Sequence, residues 1–184
     1  NLKAYYDHYR INGYAEGRVA TGSTELQNPT TVYNGVDYKL VYDYNYYINK
    51  YPDIKAAFNG DENATLRHFV ECGMNEGRQG KASFNVAAYR ANYADLRSAF
   101  GRNLKAYYMH YIGSGYREGR KATGNGVLKN PVTVYNGVDY SLVYDYNYYI
   151  SKYSDLKAAF YGDDTAALRH FVECGMNEGR QAKD

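Results

Sequence analysis

The stretch that decides the fold is YDYNYYINKYPDIKAAFNGDENATLRHFVECGMNEGR, residues 42–78, because it recurs along the chain. It aligns without a gap with FNVAAYRANYADLRSAFGRNLKAYYMHYIGSGYREGR at 84–120, and it returns at 144–180. The shared frame is Tyr-x-Asp-(Ile/Leu)-(Lys/Arg)-x-Ala-Phe followed by His-(Phe/Tyr)-x-x-x-Gly-x-x-Glu-Gly-Arg. A repeat of about 40 residues predicts small structural units that stack on one another.

A larger repeat contains the smaller one. Residues 1–82 align with residues 103–184 without a gap, and 61 of these 82 positions are identical. This superunit has a period of 102 residues and carries the octapeptide TVYNGVDY once in each copy. The chain therefore divides into a half-unit (1–22), a first insert (23–41), a first unit (42–82), a second unit (83–124), a second insert (125–143) and a third unit (144–184). It begins without Met or a signal peptide, which predicts a piece of a longer protein.

Two or three short helices are predicted in each unit. Asp43, Asn85 and Asp145 stand before the first helical pattern, and Asp and Asn are favoured N-cap residues. Pro52 fits the first position of a helix, so a second helix should begin there. Gly73 stands where a C′ glycine would end the last helix. Such small units cannot bury their own apolar faces, which predicts a mainly α fold (α+β overall) of stacked units.

The insert of each superunit should form a β-hairpin. Asn34-Gly35 is the favoured pair for a two-residue type I′ turn. The alternation then places Tyr33 and Val36 on the same face as Tyr38. A lone hairpin is marginal in water, so this aromatic face should pack on the helices and brace them.

Several polar residues recur at one repeat position, and we predict that they support the fold. Each histidine should bond to a backbone carbonyl or to a neighbouring Asp, and each arginine should pair with a repeated Asp. The residues concerned are His8, His68, His110 and His170, then Asp53, Asp95 and Asp155, then Arg18, Arg78, Arg120 and Arg180.

Composition and motifs argue against several classes of function. Charge is nearly balanced, with 22 Lys+Arg against 20 Asp+Glu, so no nucleic-acid partner is expected. No apolar run approaches the length of a membrane span, so no membrane insertion is expected. The sequence has no nucleophile motif, phosphate loop or paired-carboxylate signature, and we predict no enzyme activity, no metal and no cofactor. Cys72 and Cys174 hold equivalent positions in stacked repeats, which argues against a disulfide between them.

Tyrosine is the unusual residue of this chain, with 25 Tyr against 6 Phe and no Trp. Some tyrosines are not required by the repeat frame; for example, the second unit has Ala88 where the others have Tyr46 and Tyr148. Large amphipathic side chains that the fold can do without suit a binding surface. The alternative is that these rings only cover helix junctions. The candidate ligand-binding residues are Tyr46, Tyr148, Tyr44, Tyr146, Tyr14, Tyr116 and Tyr161.

The repeated frame resembles tandem repeats in secreted and wall-attached proteins of gut Firmicutes, notably clostridia of the Lachnospiraceae type. The resemblance covers nearly the whole chain. Such repeats accompany wall hydrolases, adhesin-like proteins and immunoglobulin-binding superantigens. The resemblance therefore implies an extracellular, non-catalytic module, secreted or attached to the cell wall, and it carries over no binding residue.

Three functions stay open at this level. The first is binding of a host protein, with an immunoglobulin variable domain as the suspected partner and with bivalency from the duplication. The second is binding of wall polysaccharide or another polysaccharide, where aromatic rings stack on sugar faces; the absence of Trp weighs against it. The third is a spacer repeat. Loss of affinity without loss of stability on Tyr46→Ala and Tyr148→Ala would favour the first function.

Overall fold

The computed structural model describes residues 2–22, 25–58 and 60–184. Within these ranges the fold is mainly α, built from short stacked helices with two small antiparallel hairpins, as predicted. The helices are α1 Leu2–His8, α2 Tyr44–Lys50, α3 Pro52–Phe58, α4 Glu62–His68, α5 Val86–Asn92, α6 Ala94–Phe100, α7 Leu104–His110, α8 Tyr146–Lys152, α9 Ser154–Phe160 and α10 Asp164–His170. No helix in this part of the chain is both long and apolar enough to cross a membrane.

The predicted helix starts are confirmed. The side chains of Asp43, Asn85 and Asp145 each accept a hydrogen bond from the backbone N–H three residues on, at 2.8, 3.0 and 2.8 Å. These bonds satisfy one of the free N–H groups at the start of α2, α5 and α8. Pro52 is the first residue of α3, where its missing N–H costs no helical bond.

The predicted end of the last helix in each unit is wrong. Gly73 does not end α4, because the chain continues in a π-helical turn and Met74 keeps right-handed helical angles. The left-handed residue is Gly77, with φ of 73°, and the N–H of Arg78 closes the turn on the Gly73 carbonyl at 2.8 Å. The four π-helical turns are Tyr9–Gly13, Phe69–Gly73, Tyr111–Gly115 and Phe171–Gly175.

Both inserts contain the predicted hairpin. The strands β1 (Val32–Tyr33) and β2 (Val36–Asp37) pair with Tyr33 opposite Val36, and β3 (Val134–Tyr135) and β4 (Val138–Asp139) repeat this register. Asn34 and Gly35 have φ of 49° and 76°, as a type I′ turn requires. The Tyr33 hydroxyl donates to Glu71 at 2.5 Å, so the first hairpin is held against the first unit.

Each unit closes on itself through one backbone bond. The N–H groups of Asp43, Asn85 and Asp145 donate to the carbonyls of Gly80, Ala122 and Ala182, at 2.9, 2.8 and 2.8 Å. The residue that caps the first helix of a unit thus also binds the end of that unit. This bond fixes where the chain leaves each unit.

The core is divided into two apolar clusters that an arginine ties together. One cluster joins the first insert to the first and second units, and the other joins the second insert to the third unit. Between them, Arg97 of the second unit pairs with Asp164 of the third at 3.1 Å, with both side chains 3% exposed. The Arg97 guanidinium also donates to four backbone carbonyls, including Lys129 and Asn130 of the second insert. Such a buried pair needs these extra bonds, because both charges have lost their water.

Candidate functional site

The repeated histidines bond to tyrosine, which corrects the predicted partner. In each complete unit, Nδ1 of the histidine lies within hydrogen-bond distance of a buried tyrosine hydroxyl, and among the described residues no carbonyl or Asp takes that place. The pairs are Tyr47–His68 at 3.2 Å, Tyr89–His110 at 2.9 Å and Tyr149–His170 at 3.0 Å. In the half-unit, His8 instead lies 3.8 Å from Glu16.

The predicted arginine–aspartate pairs are present in all three complete units. Their distances are 2.8 Å for Arg78–Asp53, 2.8 Å for Arg120–Asp95 and 2.9 Å for Arg180–Asp155. The bond donated by Arg78 holds the pKa of the Asp53 carboxyl below its usual range. In the half-unit, Arg18 pairs with Glu16 at 2.5 Å. These contacts are those of a repeated structural frame.

Two of the candidate binding tyrosines are buried, and their prediction as surface residues is wrong. Tyr44 is 1% exposed and Tyr146 is 2% exposed. The Tyr146 hydroxyl donates to the Phe160 carbonyl at 3.1 Å and accepts from the Gly162 N–H at 2.5 Å. It therefore satisfies the backbone at the end of α9, and it is a core residue.

Tyr46 and Tyr148 lie at the surface, half-buried, and are held by the same partners in both superunits. The Lys50 ammonium donates to the Tyr46 hydroxyl at 3.1 Å and to Gln79 at 2.5 Å. Lys152 does the same, donating to the Tyr148 hydroxyl at 2.9 Å and to Gln181. The ammonium groups lie 5.4 and 5.1 Å from the centres of the two rings.

The other three candidates are exposed, at 79% for Tyr14, 57% for Tyr116 and 53% for Tyr161. Tyr14 and Tyr116 occupy the repeat position of Met74, which is 0% exposed because the second unit covers it. The same repeat position is therefore covered at Met74 and open at Tyr14 and Tyr116.

Each superunit also has a cleft between its insert and the first helix of the following unit, called here the insert cleft. The first has a volume of about 440 Å³ and lies between Glu25 and Leu26 on one side and α2 on the other. The second has a volume of about 180 Å³ and lies between 125–128 and α8, with Tyr161 on its wall. Tyr46 lines an adjoining open groove beside Glu25 and Asn45.

An asparagine missed in the sequence reasoning positions each insert cleft. The Asn45 side chain bonds to both the N–H and the carbonyl of Leu26, at 3.2 and 3.0 Å. Asn147 repeats both bonds with Leu128, at 3.2 and 3.1 Å. The sequence pattern could have indicated this role, because Asn occurs at this repeat position only in units that follow an insert. The second unit, which follows no insert, has Ala87 there.

The described ranges hold no group of three or more His, Cys, Asp or Glu side chains placed to bind a metal. Cys72 and Cys174 are free thiols at the surface. Among the core tyrosines, burial raises the pKa of Tyr146 and of Tyr149 to about 12. Their hydroxyls are therefore protonated at neutral pH and can act as hydrogen-bond donors.

No protein-family model, no curated protein and no solved structure matches this chain. The resemblance to surface-protein repeats of gut Firmicutes therefore stays a prediction.

Proposed function

We propose that this chain is a non-catalytic, extracellular module that binds a host protein, with an immunoglobulin variable domain as the expected partner. The observation that carries the proposal is the pair of surface tyrosines, Tyr46 and Tyr148, each of which is fixed by a lysine that also bonds to a glutamine. The same arrangement occurs once in each superunit, so the module offers two equivalent surfaces.

Fixed tyrosines suit protein recognition. A tyrosine ring supplies apolar contact area together with a polar hydroxyl, and only two side-chain torsions have to be ordered. Because Lys50 already holds the Tyr46 hydroxyl, less conformational entropy is lost when a partner binds. Tyr116 and Tyr161 add exposed rings in the second and third units.

The composition weighs against a sugar-binding platform. The chain has no Trp, which offers the largest stacking surface. Polysaccharide binding and a spacer role are therefore outcomes of the test below.

Biolayer interferometry of the protein against immobilised Fab and Fc fragments of pooled human immunoglobulin tests the proposal. We expect binding to Fab, with Tyr46→Ala and Tyr148→Ala together abolishing it. Each single variant should keep one surface and lose avidity, by up to roughly 10²–10⁴-fold on a dense Fab surface. Thermal unfolding should change little, because both tyrosines lie at the surface and their hydroxyls bond to exposed lysines.

A matched control is Val32→Ala with Val134→Ala, which removes exposed apolar side chains from both hairpins without touching the tyrosines; the two residues are 56% and 53% exposed. This variant should bind Fab as the parent does. Retention on purified peptidoglycan without Fab binding would replace the proposal by polysaccharide binding. Absence of both would leave a spacer, and collapse of stability in the tyrosine variants would refute the surface argument.

A further inference from the structure

The second unit buries an arginine at a position where the first and third units have isoleucine. Arg90 is 8% exposed, and its repeat equivalents are Ile48 and Ile150. Its Nε and Nη2 groups are buried and have no hydrogen-bond partner among the described residues. These two groups form one edge of the planar guanidinium, and such an edge can donate two parallel hydrogen bonds to one carboxylate or phosphate. The second unit therefore holds a free pair of donors in its interior.

The neighbours of Arg90 hold its side chain without hydrogen-bonding to this edge. The guanidinium carbon lies 5.9 Å from the centre of the Tyr107 ring. Burial raises the pKa of Tyr107, and the positive charge of Arg90 opposes that rise. The guanidinium also lies against Gly162, where an added Cβ would come within 2.8 Å of Nη1 and 2.9 Å of Cζ. Glycine at position 162 therefore leaves the space that the guanidinium occupies.

The buried charges of this region do not cancel. Among the described residues, the buried charged side chains are those of Arg90, Arg97 and Asp164. Arg97 and Asp164 pair with each other at 3.1 Å, and no ion pair within the described ranges includes Arg90. One positive charge is therefore left over. Because a buried charge is costly without a partner, this region favours an anion that carries a single negative charge.

Arg90 lines a cavity of about 220 Å³ where the second unit, the second insert and the third unit meet; we call it the Arg90 cavity. The walls of the Arg90 cavity include Val86, Ala87, Leu104, Leu128 and Tyr161. An apolar cavity of about 150 Å³ is large enough for benzene. The Arg90 cavity therefore has room for an aromatic ring or a short aliphatic chain together with one small polar group.

We propose that the Arg90 cavity binds a small organic monocarboxylate, with an apolar body of about six to eight carbon atoms. The carboxylate accepts two hydrogen bonds from the Nε–Nη2 edge, and the apolar body packs against Leu104 and Leu128. Both nitrogens are covered in the structure, so the guanidinium has to turn towards the cavity as the carboxylate enters. Inorganic phosphate fits less well, because it has no apolar body for these walls and its dianion brings a surplus negative charge.

The inference does not depend on the proposed binding of a host protein, because the Arg90 cavity includes neither Tyr46 nor Tyr148. A ¹H–¹⁵N NMR titration of the protein with benzoate tests it, since the Arg90 Nε–H gives a signal of its own. Benzoate at up to roughly 10 mM should shift this signal until it saturates, with a dissociation constant of about 1 mM or tighter. Benzamide has nearly the same shape and no charge, so it should bind at least about tenfold more weakly. Inorganic phosphate should also bind more weakly than benzoate.

Two variants test the residues of the site. Arg90→Met removes the guanidinium and keeps an unbranched side chain, so it should weaken benzoate binding at least about tenfold, measured on the Leu128 backbone N–H. Ala87→Leu keeps Arg90 but narrows the cavity from its wall, so it should weaken binding as well. Arg117→Met is the matched control, because it removes the same charge at an exposed site whose guanidinium donates to the Gly113 carbonyl. It should bind benzoate as the parent does.

Circular dichroism should show all three variants folded. A parent protein without saturable benzoate binding overturns the inference. Equal binding by Arg90→Met and the parent overturns it as well, because the guanidinium would then have no role. Benzamide or inorganic phosphate that binds as tightly as benzoate would refute the ligand class. The comparison of these three ligands needs only the parent protein, so it decides the ligand class whether or not the variants fold.

Discussion

Gly115→Ala should destabilise the second unit strongly, although it adds only one methyl group. A Cβ at this position would lie 2.1 Å from the Tyr89 hydroxyl oxygen and 3.1 Å from Nδ1 of His110. The Tyr89 ring is 0% exposed and packs against neighbouring rings, so it has no free space to move into. The same close approach occurs at Gly73 and Gly175, at 2.6 and 2.3 Å from a tyrosine hydroxyl.

The size of this loss in the free energy of unfolding can be estimated from the contacts that must change. Overpacking a filled site costs about 1–3 kcal/mol, and loss of the Tyr89–His110 hydrogen bond costs about 1 kcal/mol more. Alanine recovers roughly 0.5–1 kcal/mol over glycine in a helical segment. We expect a net loss of about 1–3.5 kcal/mol, which corresponds to a fall of roughly 2–14 °C in the unfolding midpoint of a chain this long.

Urea denaturation followed by far-UV circular dichroism measures the effect. Gly113→Ala is the matched control, two residues away in the same π-helical turn; apart from the helix's own backbone and the two adjacent residues, no described atom lies within 4 Å of its added Cβ. It should be neutral or stabilising by up to about 1 kcal/mol. Adding Tyr89→Phe to Gly115→Ala should recover at least about 1 kcal/mol relative to additivity, because the clashing oxygen is gone. If Gly115→Ala is as mild as Gly113→Ala, the close-approach argument is wrong.

Three further predictions concern buried polar groups. Arg97→Ala leaves the Asp164 carboxylate buried without its cation, so we expect a loss of roughly 3–5 kcal/mol in urea unfolding, and a loss below about 1 kcal/mol would contradict the role of this pair. Arg90→Met should be neutral or stabilising by thermal unfolding, because Nε and one terminal nitrogen of Arg90 are buried without a hydrogen-bond partner among the described residues; clear destabilisation would show that this guanidinium is satisfied. Tyr146 and Tyr149 have a pKa of about 12 when folded, against about 10 for free tyrosine. The contribution of these protonated tyrosines to the free energy of unfolding is therefore complete below pH 10, and it is lost as the pH rises towards 12. A urea unfolding midpoint that stays constant from pH 9 to 11.5 would contradict this.

Local signals allowed most of the fold to be predicted. The N-caps at Asp43 and Asn85 and the helix start at Pro52 depend on neighbours within one helical turn, and the Asn34-Gly35 turn depends on two backbone torsions. The arginine–aspartate pairs were predictable because both residues recur at fixed spacing. The glycine at position 73 was misread, because its reason is a tyrosine hydroxyl from another helix and not a helix end.

Only part of the candidate site could be predicted from the sequence. The sequence by itself determined which tyrosines the repeat frame can do without, and it placed one set in each superunit. Only the tertiary structure decided that Tyr44 is core while Tyr46, two residues on, lies at the surface beside a cleft. The tertiary structure alone decided that Met74 is buried while Met176, at the equivalent repeat position, is exposed to solvent. The physical reason is that exposure in a stacked array depends on whether a neighbouring unit lies over a residue, and identical sequence in two units cannot encode a difference between their neighbours.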